Sequence, residues 1–275
     1  MPLKIYREED AGIKYWTKFW MEREESLEEQ QQYIEFNFLT KVFSKYLSHH
    51  SGKILEGGCG TGKWVFYLRE KGYGIIGVEW SKEVVKQVKA RNPSVPIIVG
   101  DIFNLSFPDD FFQAYISLGV IEHHENYLMA LKEAYRVIRK GGYLLCTVPY
   151  FNTIRRIKNI FRVYKPKMGE KFFEYRFTRK EFIKVVENAG FEIMEVIPFS
   201  VPYGLKLEIP GMSILHKYAA KRYRKELLYQ NNIDIKSQTK KQKSRIIQTL
   251  KHIIENPVMR YIFGHMILIV ARKNI

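Results

Sequence analysis

Cysteine is nearly missing from this chain of 275 residues, which has only Cys59 and Cys146. Two thiols in apolar or glycine-rich contexts cannot build a disulfide framework and lack the partners of a zinc site, so no metal is expected. Their scarcity favours a reducing compartment. Long apolar runs are missing too: no stretch approaches the roughly 18 residues of a membrane span. Met1 to Asp10 has no apolar core of the signal-peptide kind. A soluble, cytoplasmic protein is therefore expected. Acidic residues are few against basic ones, 29 to 45, giving a formal net charge of +16. Aromatic residues are plentiful, with 18 Tyr and 18 Phe, and 46% of the chain is hydrophobic. That is ample material for a core, which argues against disorder. The length fits one large domain with insertions or two small ones.

The surplus of positive charge is local. Eight basic residues face two acidic ones between Phe151 and Arg176, and twelve face three between Leu215 and Arg260. The rest of the chain is nearly balanced, 25 against 24. Fields of this kind attract anionic partners.

The chain is organised around Lys53-Ile54-Leu55-Glu56-Gly57-Gly58-Cys59-Gly60-Thr61-Gly62-Lys63. A short apolar run ends in an acid and then in glycines, and Trp64 to Lys71 reads as a helix. A strand, a glycine turn and a helix bring backbone N–H groups against a nucleotide-like ligand. In the dinucleotide pattern G-x-G-x-x-G, counted from Gly58 and Gly60, the third glycine falls on Lys63. The phosphate-binding loop G-x-x-x-x-G-K-[ST] fits from Gly57 to Lys63, but Trp64 stands where a hydroxyl should hold magnesium. What fits without repair is acid-x-Gly-x-Gly-x-Gly: Glu56, Gly58, Gly60 and Gly62. On these residues the chain resembles the class I S-adenosylmethionine-dependent methyltransferases. The resemblance implies that the acid and the turn face the amino acid moiety of the cofactor. An acid here would repel a pyrophosphate but suits an ammonium group.

Alternating strands and helices follow, which implies a parallel sheet with covering helices. The second strand ends in Glu79, about 20 residues past the start of the glycine run, where such folds place a ribose-binding carboxylate. Ser81 reads as a helix N-cap. Pro96 to Asp101 reads as a third strand whose Gly-Asp end matches the family's adenine position, with the Ile102 N–H in reach of a ring nitrogen. Three acids, Glu56, Glu79 and Asp101, then end three successive strands, and in open α/β sheets those ends face one crevice. Leu118 to His124 matches the fourth motif of the family, beside the reactive methyl. The resemblance extends the cofactor set to Cys59 in the turn, Trp80 after the second strand and Leu118. A helix from Glu125 to Arg139 is expected to stop at Gly141-Gly142. Thr178 to Glu181 reads as a capping box opening a helix to about Ala189.

The fold expected is α/β: a doubly wound, seven-stranded, mostly parallel sheet with an antiparallel last strand, N-terminal helices and two basic insertions. Residues 1–50 would form a helical lid. Residues 51–199 with 261–275 would form the cofactor-binding core, with a basic insertion at 150–177, and residues 200–260 a basic helical cap for the acceptor. Tyr15 and Trp16 could touch the cofactor or simply pack. The expected activity is methyl transfer from S-adenosylmethionine to a small-molecule or lipid-linked acceptor, with His123 as the candidate base. The motif of base N-methyltransferases is absent, and so is a Pro-Cys nucleophile, which lowers nucleic acid. RNA-directed methylation, a P-loop-like nucleotide-binding protein and a non-catalytic cofactor-binding regulator stay open as alternatives. The basic insertions, with cations interleaved among large apolar residues, could seat the protein peripherally on an anionic inner membrane face, cap the pocket, or hold RNA.

Overall fold

The computed structural model describes residues 1–22, 38–48, 52–161, 168–201, 203–204 and 256–274. In chain order its elements are β1 (Leu3–Arg7), α1 (Ile13–Met21), α2 (Phe38–Tyr46), β2 (Ile54–Gly57), α3 (Lys63–Glu70), β3 (Ile75–Glu79), α4 (Lys82–Arg91), β4 (Ile97–Val99) and β5 (Phe112–Leu118). A 3-10 turn at Ile121–His123 leads into α5 (Tyr127–Val137). Then come β6 (Ile138–Pro149), α6 (Thr153–Ile160), β7 (Lys171–Arg176), α7 (Arg179–Asn188), β8 (Phe191–Phe199), α8 (Pro257–Phe263) and β9 (Met266–Lys273).

Seven strands form one sheet in the order β4-β3-β2-β5-β6-β9-β8, parallel except for one antiparallel strand. The expected α/β sheet is therefore present. Its central strands are buried on both faces, as Ile54, Leu55, Ile116, Leu144 and Leu145 show. From β2 the chain builds outward to β4, then returns to place β5 on the other side of β2. The strand order reverses there, and the crevice at the carboxyl ends of β2 and β5 is where ligands bind in such sheets. Ser81 caps α4 by accepting from the Val84 N–H at 3.2 Å, and Thr178 and Glu181 close the capping box of α7.

Three details depart from the sequence reading. The N-terminal region is not helical throughout: β1 pairs antiparallel with β7 in a second, two-stranded sheet, with Ile5 opposite Glu174. The strand Lys171–Arg176 thus lies inside the first basic insertion. The helix expected to reach Arg139 ends at Val137, because Ile138 already pairs with Phe112 in the sheet. Gly141 and Gly142 sit instead within β6, where the register against β5 shifts. Residues 23–37 of the expected helical lid and most of the second insertion, residues 205–255, lie outside the described residues.

The chain divides into two compact units. The first is Met1–Pro149 with Lys165–Ile197 and Ile267–Ile275; the second is Tyr150–Tyr164 with Pro198–Met266. Among the described residues no helix is long and apolar enough to cross a membrane.

Gly57 closes β2 because nothing larger fits. A Cβ there would lie 1.9 Å from the hydroxyl of buried Tyr115 on β5. Gly57→Ala is expected to destabilise the first unit by about 1–3 kcal/mol, the usual cost of overpacking. A thermal melt reads this, and trimming the obstacle in the double variant with Tyr115→Leu should recover part of the loss. An unchanged melting temperature in Gly57→Ala would mean that the ring yields freely.

Candidate cofactor cleft

The glycine turn between β2 and α3 keeps its own hydrogen bonds. The N–H groups of Gly58 and Cys59 both donate to the Val78 carbonyl, at 2.8 and 3.0 Å, and that of Gly62 donates to the Cys59 carbonyl at 2.9 Å. The Gly60 N–H donates to Glu79 Oε2 at 2.9 Å, while Glu79 Oε1 accepts from the Ser81 N–H at 3.0 Å. Four N–H groups of the turn are thus already engaged within the protein. A phosphate would find them taken, and would meet two buried acidic side chains instead.

Glu56 is the second of those acids. It is buried, and its Oε2 has no hydrogen-bond partner. Burial, with the charge of Glu79 adding to it, pushes the Glu56 carboxyl up to about 8. An unpartnered buried acid is costly unless a ligand completes it. Gly60 adds a shape requirement: its φ is +55°, and a Cβ there would meet the Trp20 ring at 2.7 Å. The indole of α1 therefore lies directly against the turn.

A cleft runs along the carboxyl ends of the strands. Of the residues singled out from sequence, Gly58, Glu79, Trp80, Asp101, Ile102, Leu118 and His123 line it together. Glu56, Cys59, Gly60 and Gly62 do not. Cys59 is buried with its sulfur 2.7 Å from where a Gly77 Cβ would stand, so this side chain packs beneath the turn. Asp101 uses Oδ1 to accept from the Phe103 N–H at 2.9 Å, which shapes the loop after β4. Arg136 secures the same loop from α5, donating to the carbonyls of Phe107 and Leu105 at 2.8 and 2.9 Å.

The opposite wall is aromatic. Trp16 and Trp20 line the cleft from α1, a helix seated by the Thr17 hydroxyl donating to Ser81 Oγ at 2.8 Å. Trp16 meets the His123 ring edge-on at 4.7 Å, and Tyr15 packs on Phe173 at 5.2 Å rather than lining the cleft. His123 is buried, and its Nδ1 lies 2.9 Å from the Phe173 carbonyl, a contact that requires the proton on Nδ1. Nε2 is then the basic nitrogen. Burial draws the His123 pKa below its ordinary value, so the ring is neutral at pH 7. His124, between Trp80 and Phe103, is pushed down to about 4 by burial and by His123. Glu122, next in chain, is buried with Oε2 unpartnered and its carboxyl raised by burial. Its Oε1 is 4.0 Å from His123 Nε2. Among the described residues no group of His, Cys, Asp and Glu could hold a metal ion.

Trp20, Phe103 and the Phe173 carbonyl were not singled out from sequence. Trp20 follows Trp16 at helical spacing and Phe103 follows Asp101 in the chain, so both carried a local signal. A backbone carbonyl from a separate sheet carried none.

Residues 55–146 match the family described as "Methyltransferase domain". The demethylmenaquinone methyltransferase of Staphylococcus aureus is 30% identical over 173 residues, 54% of this chain and 71% of that protein. The chain belongs to the class I S-adenosylmethionine-dependent methyltransferases. The demethylmenaquinone methyltransferase of Staphylococcus epidermidis is 34% identical over 143 residues, 48% of this chain. The chain spans 58% of that relative's length, less than two thirds. A solved S-adenosylmethionine-dependent methyltransferase from Archaeoglobus fulgidus shares the fold, with a TM-score of 0.55 and 17% identity over 94% of this chain and all of that one. The cofactor of the family is S-adenosylmethionine, and two features at the end of β2 and its glycine turn fit it. The unpartnered Glu56 oxygen suits an ammonium, and at Gly60 the missing Cβ makes room for the Trp20 ring that lines the cleft.

Proposed function

We propose that this chain transfers a methyl group from S-adenosylmethionine to a small, flat, apolar acceptor carrying an ionisable hydroxyl, of the lipid-linked kind. The observation that carries this reading is His123: its Nδ1 is tied to the Phe173 carbonyl while its ring borders the cleft against Trp16. The cofactor, when bound, supplies a methyl group already activated on a sulfonium sulfur. Glu56 would hold the cofactor's ammonium, Glu79 its ribose, and Asp101 with the Ile102 N–H its adenine. Trp16 and Trp20 exclude water and offer rings against which a flat acceptor can stack. His123 Nε2 accepts the proton that the acceptor hydroxyl loses. The names of the Staphylococcus relatives, which denote a quinone-type acceptor for those proteins, support the apolar ring.

The test is a competition among acceptors. The protein is incubated with S-adenosylmethionine and three candidates: a hydroxylated ring with an isoprenoid tail, the same ring without the tail, and RNA. Mass spectrometry should find one added methyl on the tailed ring. Methylation of RNA alone, or calorimetric binding of Mg-ATP with no response to S-adenosylhomocysteine, would overturn the proposal.

A further inference from the structure

The second compact unit carries a surface that the cleft does not explain. Its helix α6 is fastened by one side. Asn152, fully buried, donates from Nδ2 to the Gly264 carbonyl at 2.9 Å and accepts the Arg155 N–H at 2.9 Å. Arg155 is buried as well, and its guanidinium donates to the carbonyls of Tyr150 and His265 at 2.8 and 3.2 Å. Away from these anchors the helix presents Ile157, Ile160 and, just past its end, Phe161. They stand at i, i+3 and i+4, which is one stripe. Ile160 and Phe161 are each 76% exposed, and Ile157 is exposed too. Large apolar side chains this open are left in water only at a cost.

The neighbouring helix α8 repeats the feature. It packs by α6, with the Thr153 hydroxyl 3.5 Å from the Tyr261 carbonyl, and it exposes Val258 (62%) and Tyr261. Neither helix contains an acid, while besides the buried Arg155 together they carry Arg156, Lys158 and Arg260. Arg156 is exposed beside the stripe. In sequence, Arg162, Lys165 and Lys167 follow directly, within residues outside the described ones.

We infer that α6, Phe161 and α8 form a docking surface for an anionic lipid bilayer. Apolar side chains that stand out from a short helix, ringed by cations with no acid among them, match an interface with acyl chains below and phosphates above. A second copy of this chain would bring like charges together. Single-stranded RNA would satisfy the cations but not the aliphatic side chains, because Ile157, Ile160 and Val258 offer no π-face to a base. The inference uses no residue of the cleft, and it stands or falls apart from the methyl-transfer reading.

The full chain is to be sedimented with vesicles of phosphatidylcholine alone and of phosphatidylcholine with phosphatidylglycerol, across a salt series. Binding is expected to the anionic vesicles, to weaken as salt rises, and to be at least about tenfold weaker on the neutral ones. The double variant Ile160→Ser/Phe161→Ser should lose about tenfold or more on anionic vesicles, since two inserted apolar side chains are gone. Its affinity for S-adenosylhomocysteine, measured by calorimetry, should stay that of the parent. Should that variant fail to fold, Ile157→Ser with Arg156→Glu reads the same surface from its other edge. Equal binding to both vesicle types, no binding to either, loss of neither affinity in the variants, or a shift of RNA without any lipid binding would each overturn the inference.

Discussion

His123→Ala is expected to lower turnover on the true acceptor by about 10²–10⁴-fold, the range that a positioned base contributes. The affinity for S-adenosylhomocysteine should stay nearly constant, because Glu56, Glu79 and Asp101, the proposed cofactor contacts, are untouched. That split between rate and binding separates a base from a packing residue. The Phe173 carbonyl keeps the proton of the neutral ring on Nδ1, so Nε2 is ready to accept. Burial draws the His123 pKa below its ordinary value of about 6.5, so the ring needs no deprotonation at neutral pH. The acid limb of the rate profile is accordingly expected below pH 6.5, and it should vanish in His123→Ala. Unchanged turnover in the variant would return His123 to a purely structural place between Trp16 and Phe173.

The second large effect is expected at Glu56. With its pKa pushed up to about 8 in the free protein, Glu56 carries a proton at neutral pH. An ammonium placed against it favours the ionised form, so binding releases that proton. The affinity for S-adenosylhomocysteine should therefore rise with pH between 6 and about 8, by up to about tenfold per unit, and level off above. Calorimetry in buffers of different ionisation enthalpy reads the released proton directly. Glu56→Gln should flatten the dependence and bind roughly ten- to a hundredfold more weakly at pH 8, the loss of one buried hydrogen bond to charge. The same shift reports on stability. An acid whose folded pKa lies above its unfolded value of 4.5 contributes stability below 4.5 that is lost as pH rises through about 8. The ligand-free protein should melt at falling temperature across that window, and Glu56→Gln should melt more evenly. A flat affinity profile in the parent would show that the cation contacts some other group.

Much of this protein could be read from its chain because the relevant signals are local. Glu56, Gly58, Gly60 and Gly62 lie within seven positions, and glycine is needed where the backbone turns with positive φ, as at Gly60. The order along the chain of the seven strands of the main sheet followed from apolar runs, from caps such as Ser81 and Thr178, and from prolines. Even the three acids at three strand ends were visible, since parallel strands joined by helices must all finish on the same edge of the sheet.

Tertiary structure decided what depends on residues far apart in the chain. Nothing in Leu3–Arg7 announces that its partner is Lys171–Arg176, because the pairing preference of a short strand is set by the edge it meets. The position of Trp20 on the Gly60 backbone is a contact across forty residues, invisible to any helical period. The state of Glu56 was equally hidden: sequence shows an acid, but only the packed structure leaves one of its oxygens dry and unpartnered and raises its pKa. The role open to His123 rests on a carbonyl fifty positions away. Local geometry is encoded where it occurs, whereas burial and partnership belong to whatever the rest of the fold brings alongside.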